Sequence, residues 1–252
     1  MKRYWWLIAL GLGALVLFFL FTLPAKLVGD RLGRHGVQAS AFYGSVWSGE
    51  AHGLTSKGAY LGDLKWRISP LELIRARLAG HLVLTRSDGS VETDFDARLS
   101  GDLRLHSARL RLPLAAFDSL PLGLPRGWKG QLTGDIDELV IRDQWPAVLR
   151  GTLDLDGLVT PPPRNAGVGS YRLTMPDPAM PGDNEELSAL VADKEGPLGV
   201  DARLTLSPDR SFLLEGTLAP RGGTPPELEK SLRLLGPADA AGRREFSVGG
   251  TI

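Results

Sequence analysis

The chain has 252 residues, 43% of them hydrophobic, with 29 basic and 29 acidic side chains and no cysteine. That length and composition fit one large β domain or two small ones, each able to bury a core. The charge balance offers no basic face for nucleic acid and no acidic tail, and the lack of cysteine excludes disulfides and thiolate metal sites while leaving the compartment open.

Lys2 and Arg3 precede W-W-L-I-A-L-G-L-G-A-L-V-L-F-F-L-F-T-L, which is uncharged from Trp5 to Leu23. A helix over this run, at about 1.5 Å per residue, is roughly 28 Å long and matches the hydrocarbon of a bilayer. Trp5 and Trp6 stand with Tyr4 at its start, where interfacial aromatics belong, and Leu7, Val16, Phe18, Phe19, Leu20 and Leu23 supply apolar surface. The rival reading is a cleaved signal peptide, but the run is longer than a usual h-region and Pro24 interrupts the weak L-P-A cleavage candidate. The expected organisation is a cytoplasmic stub at 1–4, a transmembrane anchor at 5–23, a juxtamembrane linker at 24–40 and a β domain at 41–252, with a sub-break at 161–169. Lys26, Arg31 and Arg34 follow the run, so the positive-inside count does not favour a cytoplasmic N-terminus. A basic stub before an apolar helix nevertheless has the form of an export signal, which puts the β domain outside the cytoplasm.

Beyond residue 40 the dominant signal is alternation. In V-E-T-D-F-D-A-R-L, Val91, Thr93, Phe95, Ala97 and Leu99 share one face, and Glu92, Asp94, Asp96 and Arg98 take the other. The pattern recurs in D-L-R-L-H, A-R-L-R-L, G-T-L-D-L-D, D-A-R-L-T-L and F-L-L-E-G-T-L. Turn residues punctuate these runs without a fixed period, which predicts a meander of roughly ten to twelve strands. The fold class is mainly β: a transmembrane helix, then a curved antiparallel sheet with two short helices padding it.

The first helix is predicted from S-P-L-E, with Ser69 as cap, Pro70 at the first position and Glu72 closing a capping box, ending near Ala79 before Gly80. The second follows T-P-P-E, with Thr224, Pro225 and Glu227 in the same roles. Leu228, Leu232 and Leu235 form its apolar stripe, and Gly236 with Pro237 stops it. P-P-P-R-N-A-G-V-G at 161–169 reads as a break between strand groups, and M-P-D-P-A-M-P-G-D-N-E-E as a proline-rich excursion.

Catalytic signatures are missing. His35, His52, His81 and His106 lie in no metal-binding spacing, and the carboxylates of D-I-D at 135–137 and D-L-D at 154–156 alternate with apolar residues as the wet face of a strand does. G-V-G-S-Y at 167–171 lacks the strand-turn-helix context of a nucleophile elbow. No catalytic, cofactor or metal residue is assigned, and nucleic acid is not expected as a partner.

One stretch is hard to explain by composition. In Y-G-S-V-W-S-G, Gly44 and Gly49 permit a bend, and Val46 and Trp47 point to opposite faces if the stretch is extended. Ser48 completes the block. A second block, L-G-D-L-K-W, holds Leu61, Gly62 and Trp66, and Pro70 follows four residues on. Later come Gly196 and Pro197, S-P-D at 207–209, Gly216 in G-T-L-A-P-R, the Leu232 helix ending at Gly236, and Gly242 with Arg243. An anchor followed by these blocks in this order resembles the type II secretion system protein N family. Ser45 departs from the threonine expected there, 81–165 match only as generic strands, and the excursion at 177–186 is longer than usual.

The resemblance implies a single-pass protein of a Gram-negative inner membrane with its β domain in the periplasm, accessory to protein transport and without enzymatic activity or cofactor. Its implied partners are the membrane and other secretion subunits. Two functions remain open: a structural or interaction subunit, and a lipid carrier holding acyl chains in an apolar trough. A carrier leaves its trough uncovered by side chains, whereas a scaffold fills it. Trp47 and Trp66 likewise have two readings, as core tryptophans near a strand pair or as an anchor facing a partner or lipid.

Overall fold

The computed structural model describes residues 22–26, 29, 33, 36–56, 58–98, 101–118, 126–143, 145–175, 186–222 and 224–251. The chain divides into two compact units, Met1–Ser87 and Asp88–Ile252. Trp5, Trp6, Leu7, Val16, Phe18, Phe19 and Leu20 of the expected anchor, His35, and most of the proline-rich excursion lie outside the described residues. Among the described residues no helix is long and apolar enough to cross a membrane.

The first unit is built from β1 (Val37–Gln38), β2 (Ala41–Gly44), β3 (Ser48–Ser56), β4 (Ala59–Ser69) and β5 (Arg77–Arg86). β3 pairs antiparallel with β1, β2 and β4, and β4 with β5. Alternation along β4 puts Leu64, Trp66 and Ile68 on one face. There Ala25, Ala51, Leu54 and Trp66 form a buried cluster backed by Phe42, Leu82 and Leu84.

The second unit is a meander of β6 (Gly89–Arg98), β7 (Leu103–Pro113), β8 (Lys129–Arg142), β9 (Trp145–Val159), β10 (Gly167–Met175), β11 (Leu187–Glu195), β12 (Leu198–Leu206), β13 (Ser211–Pro220) and β14 (Arg244–Thr251). Each strand pairs with the next, antiparallel. Among the described residues fourteen strands, two of them very short, thus stand where ten to twelve are predicted. The face expected for Val91, Phe95 and Ala97 is present, since they pair with Leu110, Leu105 and Leu103. Across β7 to β12 this face carries a cluster of Ala108, Ile136, Met175 and Ala189, packed by Leu110, Leu139, Leu149, Leu153, Leu173 and Leu204.

The apolar phase of β7 changes at Ser107, from Leu103 and Leu105 to Ala108, Leu110 and Leu112. Ser107 sits at φ 49°, and the register with β6 slips between Glu92 and Asp94. The extra residue of this bulge keeps both halves of the strand on the core side. The bulge is sealed by Thr93, which is buried and whose hydroxyl lies within donating distance of the His106 carbonyl, 3.3 Å, and of the Asp94 carbonyl, 3.1 Å. Thr93→Val keeps the shape and removes the donor, so it should destabilise the chain by about 1 to 3 kcal/mol. Chemical denaturation of purified protein checks this, with Ser90→Ala on the exposed face as the neutral comparison.

The helices differ from expectation. Pro70–Arg75 is a 3-10 helix with no side-chain cap hydrogen bond at Ser69, and it stops at Ala76, whose φ is 54°. Glu72 does not close a capping box. It binds Arg77 at 2.7 Å and Arg75 at 3.4 Å, and Arg77 already starts β5. None of this helix is buried, so it does not pad the sheet. A second 3-10 helix, Leu114–Phe117, has no counterpart among the predicted elements. The α-helix α1 spans Pro226–Arg233; Leu232 is buried, but Leu235 lies beyond the helix and is exposed. Thr224 binds the preceding turn, donating to the Pro197 or Arg221 carbonyl at 2.7 Å and accepting the Arg221 N–H at 3.0 Å. The Glu227 side chain lies outside what is described. P-P-P-R-N-A-G-V-G joins the paired strands β9 and β10, while the division between units falls at Ser87 and Asp88.

Candidate functional site

The G-S-V-W-S-G motif is a corner that fastens three parts of the first unit. Gly44, at φ 84°, pairs with Gly49 and closes the loop between β2 and β3. Ser45 N–H donates to the Ser48 carbonyl at 2.9 Å, and Ser48 N–H donates to Ser45 Oγ at 3.1 Å. Val46 and Trp47 are therefore bent, not extended. The Val46 N–H donates to the Leu23 carbonyl at 2.9 Å, and its carbonyl accepts the Trp66 indole N–H at 2.9 Å. The Trp47 carbonyl accepts the Ile68 N–H at 2.6 Å.

The glycine at 49 is required by shape. A Cβ there would stand 2.5 Å from Trp66 Cζ2, 2.7 Å from the Tyr43 carbonyl oxygen and 2.9 Å from that of Ser45. The indole of Trp66 lies over a bare backbone, and the two motif blocks are one structural device. Trp66 is a core residue and Trp47 is half-buried. The corner also captures the chain leaving the apolar run, because Ala25 is buried and its N–H donates to the Gly44 carbonyl at 3.1 Å.

The other motif positions are mostly backbone devices. Leu61 packs on the first cluster and Gly62 sits at a register shift between β3 and β4. Pro70 starts the 3-10 helix. Gly196 approaches Gly169 so closely that a Cβ would lie 2.5 Å from its Cα. The Pro197 carbonyl accepts the Arg221 N–H at 2.8 Å. Gly216 stands opposite Ala202, and the Gly236 carbonyl accepts a hydrogen bond from Arg244. Asp239 holds both Arg243 and the Gly242 turn.

Sequence reasoning missed a polar group on the first unit. His52 Nδ1 lies 3.2 Å from Asp63 and its Nε2 3.5 Å from Glu50, while Lys65 reaches Glu50 at 3.0 Å. Period-two spacing could have placed Glu50 beside His52, but Asp63 joins them only through the β3–β4 register. The Gly53 N–H and then His52 hold the Asp63 carboxyl below its ordinary value. The cluster is open to solvent and is satisfied by its own pairings. Among the described residues no group of three or more His, Cys, Asp or Glu is placed to hold a metal ion.

The D-L-D carboxylates also sit in ion pairs. Asp154 receives a two-pronged contact from Arg172, at 2.7 and 2.8 Å, and Lys194 lies 3.1 Å from Asp154 and 2.8 Å from Asp156. The Arg172 hydrogen bond, with help from Lys194, pulls the Asp154 carboxyl from 3.8 to about 2. Because the folded value lies below the unfolded one, this contribution, at most about 2 kcal/mol, is complete above pH 3.8 and is lost as pH falls through about 2. Asp154→Asn should flatten the fall in stability between pH 4 and 2, as measured by denaturant melts at each pH. In G-V-G-S-Y, Ser170 Oγ accepts the Gly157 N–H and Tyr171 donates to the Val168 carbonyl, so both are engaged in hairpin structure.

Antiparallel strands whose sequence motifs resolve into corners, turns and close backbone approaches define a mainly β protein in which the motif residues serve the backbone. The chain belongs to the family of type II secretion system (T2SS) protein N, whose family model matches residues 35–247. It is similar to the type II secretion system protein N of Aeromonas hydrophila, 27% identical over 269 aligned positions covering 100% of both chains. It is also similar to that of Vibrio cholerae serotype O1, at 23% over 225 positions and 86% of both. No solved structure matches it. As a secretion component it works with other secretion subunits.

Proposed function

We propose that this protein is a non-enzymatic accessory component of type II secretion, held in the inner membrane by residues 5–23 and presenting its β strands in the periplasm to other secretion subunits. The observation that carries the reading is the family match over 35–247, which begins just after an uncharged run long enough to span a bilayer. The corner at 44–49 adds to it, since Leu23 and Ala25 are tied by backbone bonds to the first sheet and a tether there would be mechanically coupled to the β domain. The lipid-carrier alternative gains no support from the comparisons, since both named relatives are secretion proteins.

A phosphatase that is active only in the periplasm, fused after Ile252, should be active in cells, and a reporter that works only in the cytoplasm should be dark. The reverse pattern overturns the topology. Mass spectrometry of the mature protein should find the intact N-terminus, and a new terminus near residue 26 would remove the anchor.

A further inference from the structure

The exposed side chains of the first unit include one apolar group whose surroundings point to its occupant. Leu71 is 69% exposed and Ile74 84%, with Leu73 and Leu78 also open. Leu71 and Ile74 are three apart in a 3-10 helix, where side chains at that spacing eclipse, so the two most exposed large apolar residues described in the first unit form one ridge. Water is a poor environment for such a ridge.

The ridge sits where the chain leaves its apolar run. Leu23, the last residue of that run, accepts the Val46 N–H, and the neighbouring Trp47 carbonyl accepts the Ile68 N–H, two residues before Pro70. Pro24 also forms a bridge with Ser45. Two backbone hydrogen bonds, the step from Val46 to Trp47 and three residues from Ile68 to Leu71 therefore connect the end of the run to the start of the ridge. The charge around it is basic. Arg75 is 71% exposed and Arg77 flanks the helix, and the acid between them, Glu72, is neutralised by both. Lys26, exposed and next to the buried Ala25, adds a positive charge where the chain leaves the run.

We infer that the 70–78 segment docks on the lipid bilayer beside the anchor, with Leu71 and Ile74 inserted among acyl chains and Arg75 and Arg77 at anionic headgroups. This rests on the anchor reading above. It deepens that reading by fixing the end of the sheet to the membrane surface at a second point, as an interfacial segment penetrating about 5 to 10 Å does.

The natural absence of cysteine permits single-site labelling of the full-length protein. Bimane is attached to Ile74→Cys, Phe18→Cys or Tyr60→Cys, and each protein is reconstituted in vesicles of phosphatidylethanolamine and phosphatidylglycerol containing nitroxide-labelled acyl chains. Ile74 carries little packing, and Tyr60, 49% exposed, lies nine residues from Ser69 along β4, roughly 30 Å away. The Phe18 and Ile74 probes should each lose about half or more of their emission to the nitroxide lipid, and the Tyr60 probe should keep its own. A quenched Phe18 probe with an Ile74 probe quenched only by aqueous iodide would overturn the docking and leave the anchor standing. An Ile74 probe shielded from both quenchers would also overturn it, by showing that protein and not lipid covers the ridge. Equal lipid quenching at Tyr60 and Ile74 would overturn it as non-specific. An unquenched Phe18 probe would overturn the anchor reading, and the docking with it.

Discussion

Trp66→Ala is expected to destabilise the protein by about 3 to 5 kcal/mol, the range for deleting a buried tryptophan side chain. Trp66 is 7% exposed, fills the centre of the first cluster and donates to the Val46 carbonyl, so the substitution opens a cavity and leaves an acceptor unpaired. Gly49→Ala should cost about 1 to 3 kcal/mol by the opposite fault, overpacking. Its methyl would collide with the Trp66 ring and with two carbonyl oxygens. The double substitution separates these causes. With the ring gone, the new methyl loses one of its three clashes, so the pair should cost less than the sum of the singles. Melting of the detergent-purified full chain measures all three. Strict additivity would show that the indole and the glycine do not act as one device. Because whole-domain stabilities are commonly about 5 to 15 kcal/mol, Trp66→Ala should also lower abundance in cells.

Leu232→Ala should cost about 2 to 5 kcal/mol. Leu232 is 5% exposed on α1, while Leu235 is 42% exposed and Lys230 lies on the wet side. Leu235→Ala and Lys230→Ala should therefore stay within about 0.5 kcal/mol of the unmodified chain. Parallel melts of the three variants test whether one leucine or the whole predicted stripe docks the helix. A loss at Leu235 as large as at Leu232 would mean that the stripe acts along its full length. Negligible losses at all three would mean that α1 is not docked.

Most strands and their faces are legible in the sequence, because alternation is a local property: along a regular strand a residue two positions on returns to the same side. Val91, Phe95 and Ala97 accordingly face Leu110, Leu105 and Leu103. The order of the motif blocks also identified the family, since that information lies along the chain. Features that depend on partners distant in sequence emerge only once the strands are paired. The bulge at Ser107 shows in sequence only as a change of phase, and its seal by Thr93 required the β6–β7 register. The predicted first helix stops short because Arg77 enters β5 and takes Glu72 away from the cap. Leu235 falls off the end of α1, so the stripe loses its last member. Gly49 and Trp66 are far apart in sequence, and only the pairing of β3 with β4 lays the indole over the glycine.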